Sequence, residues 1–121
     1  PIIHNFKAQE LAILVNAYSN MEHQPCQELF DAVAVAAIPL MDKFTSQGLA
    51  NLVRAHARMD CISEELFEEV AKAAIPILDE FTMQGLANLL GALPLYNDSE
   101  SSKLLLEAVS EFSNRSNNEN E

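Results

Sequence analysis

One phrase recurs three times along this chain at a nearly fixed interval. Phe44-Thr-Ser-Gln-Gly-Leu-Ala-Asn-Leu52 returns as Phe81-Thr-Met-Gln-Gly-Leu-Ala-Asn-Leu89, and a looser copy, Phe6-Lys-Ala-Gln-Glu-Leu-Ala-Ile-Leu14, stands near the start. The intervals Phe6 to Phe44 and Phe44 to Phe81 are 38 and 37 residues. A period of this size marks a stacked-repeat architecture, in which a single supersecondary unit cannot bury its own apolar face and its neighbours complete the core. The phrase divides the chain into units at about 6–43, 44–80 and 81–112, with a polar stretch, 113–121, after them. Three units are about the minimum for an independent stack.

The units read as helix pairs. Hydrophobic residues make up 49% of the chain, which excludes a disordered class, and only 3 Gly and 5 Pro interrupt it. In unit two, Thr45 is placed to cap a first helix by accepting from its free amides. Leu49, Leu52, Val53 and His56 then fall at i, i+3, i+4 and i+7 on one face, which Ala50 and Ala57 widen. A helix apolar over more than one stripe is covered on more than one side, as an inner helix of a stack must be. Met59 to Ser63 forms the turn. Ser63 caps the second helix, Glu64 and Glu65 sit in its positive first turn, and Leu66, Phe67, Val70, Ala71 and Ala74 form its buried face.

A proline link precedes each pair, and none follows the third. Ile38-Pro-Leu-Met-Asp-Lys-Phe44 and Ile75-Pro-Ile-Leu-Asp-Glu-Phe81 are copies, and Pro1-Ile-Ile-His-Asn-Phe6 is a third. Proline lacks an amide hydrogen and clashes with the carbonyl four residues back. The second helix of each unit is therefore expected to bend at Pro39 and Pro76, or to end there and restart as a short turn. Unit one follows the plan with Leu11, Leu14 and Val15, then Pro25, Leu29, Phe30 and Val33. Unit three stops its first helix near Leu93, before Pro94, and carries Leu105, Leu106 and Val109 in the places of Leu66, Phe67 and Val70. Residues 113–121 are too polar to bury a surface and are expected to fray or to be a disordered tail.

The copies also test one another. Gly48 and Gly85 share a position with Glu10, which argues against a required positive φ and for close helix packing there. Gln9, Gln47 and Gln84 recur, as do Asn51 and Asn88. They form either a ladder of amides facing a ligand or a set of hydrogen bonds between repeats, the second being the favoured reading.

Several functions are disfavoured. With 7 Lys+Arg against 18 Asp+Glu the net charge is −11, which repels phosphate backbones and anionic membranes at long range. The longest apolar run, Ala32 to Met41, is too short to span a bilayer and contains Pro39. No Gly-rich phosphate loop, nucleophile elbow or H-E-x-x-H is present, so the chain does not read as an enzyme, and no cofactor is expected. His4, His23 and His56 lie at three different repeat positions and give no metal pair. Glu64, Glu65, Glu68 and Glu69 read as a solvated helix face. Cys26 and Cys61 are not at equivalent positions and read as free thiols. Neither a signal peptide nor an initiator Met opens the chain, which reads as a processed mature chain or an excised fragment, any targeting segment being absent from it.

Charge is layered. The second helices hold most of the acid; the first helices hold Lys7 and Glu10, then Arg54 and Arg58, then no charge. The candidate interaction surface is on the first helices: Lys7, Asn16, Asn51, Arg54, His56, Arg58 and Asn88.

The pattern Phe-x-x-Gln-x-Leu-Ala-Asn, a small-residue helix, Leu-Phe and Ile-Pro-x-Leu-x-x-Phe resembles the octotricopeptide and heptatricopeptide-like repeats of algal and alveolate organelles, over Pro1 to about Phe112. The resemblance implies an all-α protein without a sheet, a short α-solenoid of three helix pairs in a right-handed superhelical stack. It also implies an organellar location, chloroplast before mitochondrion, soluble or peripheral, and a link to RNA processing, translation or ribosomes. Many members have Trp-Ala-Phe where this chain reads Asn16-Ala-Tyr18, Arg54-Ala-His56 and Gly91-Ala-Leu93. Each Trp is lost. With the acidic balance, that loss favours a small scaffold subunit docking on other proteins of an organellar assembly. The alternative is a single-stranded RNA binder with Lys7, Arg54 and Arg58 on phosphates.

Overall fold

The structure, a computed structural model, describes residues 6–20, 27–61, 63–92 and 100–119. Pro25 and Cys26, and Leu93 and Pro94 where the third unit was expected to end its first helix, lie outside the described residues. Six α-helices, α1 (Ala8–Asn20), α2 (Gln27–Ala37), α3 (Ser46–Arg58), α4 (Glu64–Ala74), α5 (Met83–Ala92) and α6 (Glu100–Glu119), make up the fold, with no strand among the described residues. The fold is all-α, as expected. It has two layers: α1 packs on α3 and α3 on α5 in one, while α2 packs on α4 and α4 on α6 in the other. Equivalent helices of successive units thus lie side by side, an arrangement compatible with a short α-solenoid.

The links end helices in the way proline chemistry requires. α2 and α4 stop at Ala37 and Ala74, and Ile38–Lys43 and Ile75–Glu80 continue as tighter 3₁₀ turns with Pro39 and Pro76 in their first turn. Phe44 and Phe81 then turn extended, at φ −80° and −79°, and donate their amides to the Met41 and Leu78 carbonyls. The next residue caps the following helix. Gly48 donates its amide to Thr45 Oγ1 at 3.0 Å, and Gly85 to Thr82 Oγ1 at 2.9 Å. Each link therefore redirects the chain in about seven residues and starts a capped helix.

The caps explain the shared glycine, and they correct the expectation of close packing between helices. A Cβ on Gly48 would lie 3.3 Å from both the Phe44 ring and the Thr45 hydroxyl, in its own first turn, while the nearest atom of α1, Ala12 Cβ, would be at an ordinary 3.8 Å. Unit one admits Glu10 there because it is capped the other way round: Lys7 donates its amide to Glu10 Oε1 at 2.8 Å.

The core runs through both layers. Leu11, Val15, Phe30, Val33, Leu49, Leu52, Leu66, Val70, Leu89 and Leu105 are fully buried, and the caps Thr45 and Ser63 stand where the sequence puts them. Leu106 departs from expectation: in the place of Phe67 it is exposed. α6 also continues to Glu119, past the boundary expected at 112, because no Gly or Pro interrupts its backbone ladder. Ser113 and Asn114 are exposed on it.

A turn between α3 and α4 is closed by an unusual residue. Asp60 takes φ 56°, while Cys61 donates its amide to the His56 carbonyl at 2.8 Å and Asp60 its own to Ala57 at 3.1 Å. These two bonds form a Schellman cap, a position glycine fills at lower cost.

Candidate interaction face on the first helices

The layer of α1, α3 and α5 carries the predicted surface residues. Its grooves recur with the repeat. Gln47, Asn51, Gln84 and Asn88 line a cleft of about 290 Å³ between α3 and α5, with Ser46 and Thr82. Gln9, Gln47 and Asn51 line one of about 420 Å³ between α1 and α3. The three glutamines are exposed and the two asparagines half-buried. Among the described residues, none of these five side-chain amides makes a hydrogen bond. The ladder therefore does not knit the repeats together, contrary to the favoured expectation; it faces the grooves.

Other pairs join the repeats. Arg54 Nη1 donates to Asn16 Oδ1 at 3.4 Å, and Arg58 Nη1 to Asn20 Oδ1 at 3.2 Å. Ser46 Oγ donates to the Glu80 carbonyl at 3.0 Å, tying α3 to the link before α5. Asn20 was missed in the sequence, although its interval of 38 residues from Arg58 equals that of Asn16 from Arg54. The two arginines are thus tethered along the groove edge, and Lys7 is exposed near the other end of α1.

His56 does not belong to this surface. It is buried, with Nδ1 2.9 Å from the Leu52 carbonyl and Nε2 3.2 Å from the Phe30 carbonyl. The neutral ring donates to one of these oxygens only. Its ring stands edge-on to Phe30, centroids 4.8 Å apart, and to Phe67 at 6.5 Å, while Tyr18 meets Phe30 at 5.9 Å. This aromatic row crosses from unit one into unit two. Burial holds the His56 pKa below the usual imidazole value, against the opposing pull of the two carbonyls and of the Asp31 carboxylate.

The opposite layer is acidic. Glu28 and Asp31 are exposed on α2, Glu64 and Glu65 on α4, and Lys72 lies 3.4 Å from Glu69. No group of three or more His, Cys, Asp or Glu side chains among the described residues is placed to hold a metal ion. Cys61 is buried, and its thiol donates to the Met59 carbonyl at 3.4 Å.

A family model described as RNA-editing substrate-binding complex 6 protein, RESC6, matches residues 1–118. The chain belongs to the RESC6 family. No curated protein and no solved structure matches it. The RESC6 match gives the octotricopeptide type no support; the pairing of helices rests on the geometry described above. For this RESC6-family chain, no helix among the described residues is long and apolar enough to cross a membrane.

Proposed function

We propose that this RESC6-family chain is a non-catalytic, protein-binding subunit of an RNA-editing complex. The name of the family supports membership of such an assembly. The observation that carries the scaffold role is the distribution of charge. Arg54 and Arg58 are each held by an asparagine of the preceding repeat, α5 has no charged residue, and the other layer is acidic. A protein that follows an RNA backbone needs a continuous basic track, and three separated cations do not make one. We further propose an organellar location. The family speaks for the mitochondrion, and the chloroplast expected from the resemblance is withdrawn.

A second reading has its own observation: the unbonded Gln and Asn ladder lines successive grooves of the first-helix layer. Amides can bond the edges of unpaired bases, which favours single-stranded RNA laid across α1, α3 and α5. Titration with labelled single-stranded RNA at low and physiological salt separates the two readings. The scaffold reading expects no binding even at low salt. Tight, salt-sensitive binding that Arg54→Glu abolishes would replace it with the RNA reading.

A further inference from the structure

The amides that make no hydrogen bond among the described residues stand in register. Gln47 and Asn51 lie one turn apart on α3, and Gln84 and Asn88 repeat them on α5. Gln47 and Asn51 line both the cleft toward α1 and the cleft toward α5, so the two clefts join over α3 into one groove across the first-helix layer. Both clefts lie between units of this chain. A further helix at either end of the row would lengthen the groove without filling it.

The rest of the lining is apolar or neutral. Ile13 stands on α1 where α3 and α5 have Asn51 and Asn88, and it is 59% exposed at the first cleft. Phe81, half-buried, lines the second. Among the described residues, Lys43 is the one charged side chain that lines either cleft.

Three features define what fits. Each amide offers an N–H donor and a C=O acceptor, the same pair that a peptide group offers. The lining also favours a nearly neutral ligand. A polyanion would meet one cation in the groove of a chain at −11, and a polycation would be drawn instead to the acidic layer on the other side. The third feature is spacing. Packed helices lie about 8–10 Å apart, so equivalent amides recur at about that interval. A polyproline II chain has three residues per turn at about 3.1 Å each, and so turns the same face to the groove every ~9.3 Å. A β-strand repeats its face every two residues, at about 6.6 Å, and falls out of register.

We propose that this groove binds a proline-rich, weakly charged segment of a partner protein in the polyproline II conformation. The segment crosses α1, α3 and α5, with its main chain on the amides and its apolar side chains on Ile13 and Phe81. This inference rests on the protein-binding reading above and gives that reading a site and a kind of partner. A polyproline II chain makes no internal hydrogen bonds, so its carbonyls are free to accept from Gln47, Asn51, Gln84 and Asn88. Its preset conformation also loses little freedom on binding.

Selection from a displayed library of random nine-residue peptides on the immobilised chain tests the proposal. Retained peptides are expected to be rich in proline and poor in charge. Synthetic copies should bind the double variant Gln47→Ala, Asn51→Ala about tenfold or more weakly, because two hydrogen bonds are lost. Gln47 is exposed and Asn51 half-buried, so the variant should keep its helical far-ultraviolet spectrum. Ile13→Asp should weaken binding too, while Val35→Asp, at a site 63% exposed on the other layer, should leave it unchanged. Retention of basic peptides without proline, equal binding to the double variant, or no retained peptide overturns the groove proposal. Each of these leaves the scaffold role standing, since that role fails on a different result, release of the chain from its assembly by nuclease. Binding of a labelled oligouridylate that the double variant abolishes also overturns the proposal and gives the groove to RNA.

Discussion

Arg54 and Asn16 occupy the same position of successive repeats, and the Arg54 guanidinium donates to the Asn16 side chain across the joint between them. The same relation links Arg58 and Asn20. Each pair is one rung of a row that tracks the layer of first helices. The rung is long at 3.4 Å and partly solvated, so it fixes lateral offset more than it stabilises. Asn16→Ala is expected to cost less than about 1 kcal/mol in urea unfolding. In a double-mutant cycle, Arg54→Ala and Asn16→Ala should couple by about 0.5 kcal/mol. A coupling indistinguishable from zero would remove the rung.

His56 makes stability depend on pH in a fixed direction. Its folded pKa lies below the ordinary 6.5, so the unfolded chain binds the proton more readily. The contribution is fully present above the unfolded pKa and is lost as pH falls below about 6.5. Between pH 7.5 and 5.5 the unaltered chain should lose stability relative to His56→Leu, measured by urea midpoints at each pH. Effects of pH on the rest of the chain act on both proteins, so the difference isolates the histidine. A variant that tracks the unaltered chain at every pH would contradict the burial of this ring.

Asp60 holds a left-handed backbone that costs an ordinary side chain about 1–2 kcal/mol. Asp60→Gly should raise stability by up to about 1 kcal/mol, while Asp60→Val should lower it by about 1–2 kcal/mol. Thermal unfolding of the pair checks the sign. Stabilisation by valine is the outcome that does not fit.

The glycines divide by their surroundings. Alanine at Gly91 meets nothing within 4 Å and should gain about 0.5 kcal/mol from helix propensity. Alanine at Gly48 meets the buried Phe44 ring and the capping Thr45 hydroxyl at 3.3 Å, and should give no gain or lose about 1 kcal/mol. Equal gains at both sites would show that the first-turn crowding is unimportant.

Much of the fold was legible because it rests on local chemistry. Thr45 and Ser63 announce helix starts by residue type, and Pro39 and Pro76 announce the ends. His56 was misplaced although its own i+7 spacing from Leu49 put it on the buried stripe; a histidine so placed belongs to the core, and its polarity distracted from that. The partners of the arginines were hidden for a different reason. The offset between stacked helices is set by packing across the joint, and no local pattern shows that Arg54 reaches Asn16 rather than a ladder amide. Polar composition at 113–119 masked a run with no helix breaker, so α6 is longer than its hydrophobic part.

Co-elution after nuclease treatment tests the scaffold role most directly. The tagged chain, isolated from its organelle with associated material and digested to remove RNA, is expected to remain with proteins of the RNA-editing complex, and to do so equally well as Arg54→Glu. Release of the chain by the nuclease alone would contradict a protein-binding role and leave RNA as its tether.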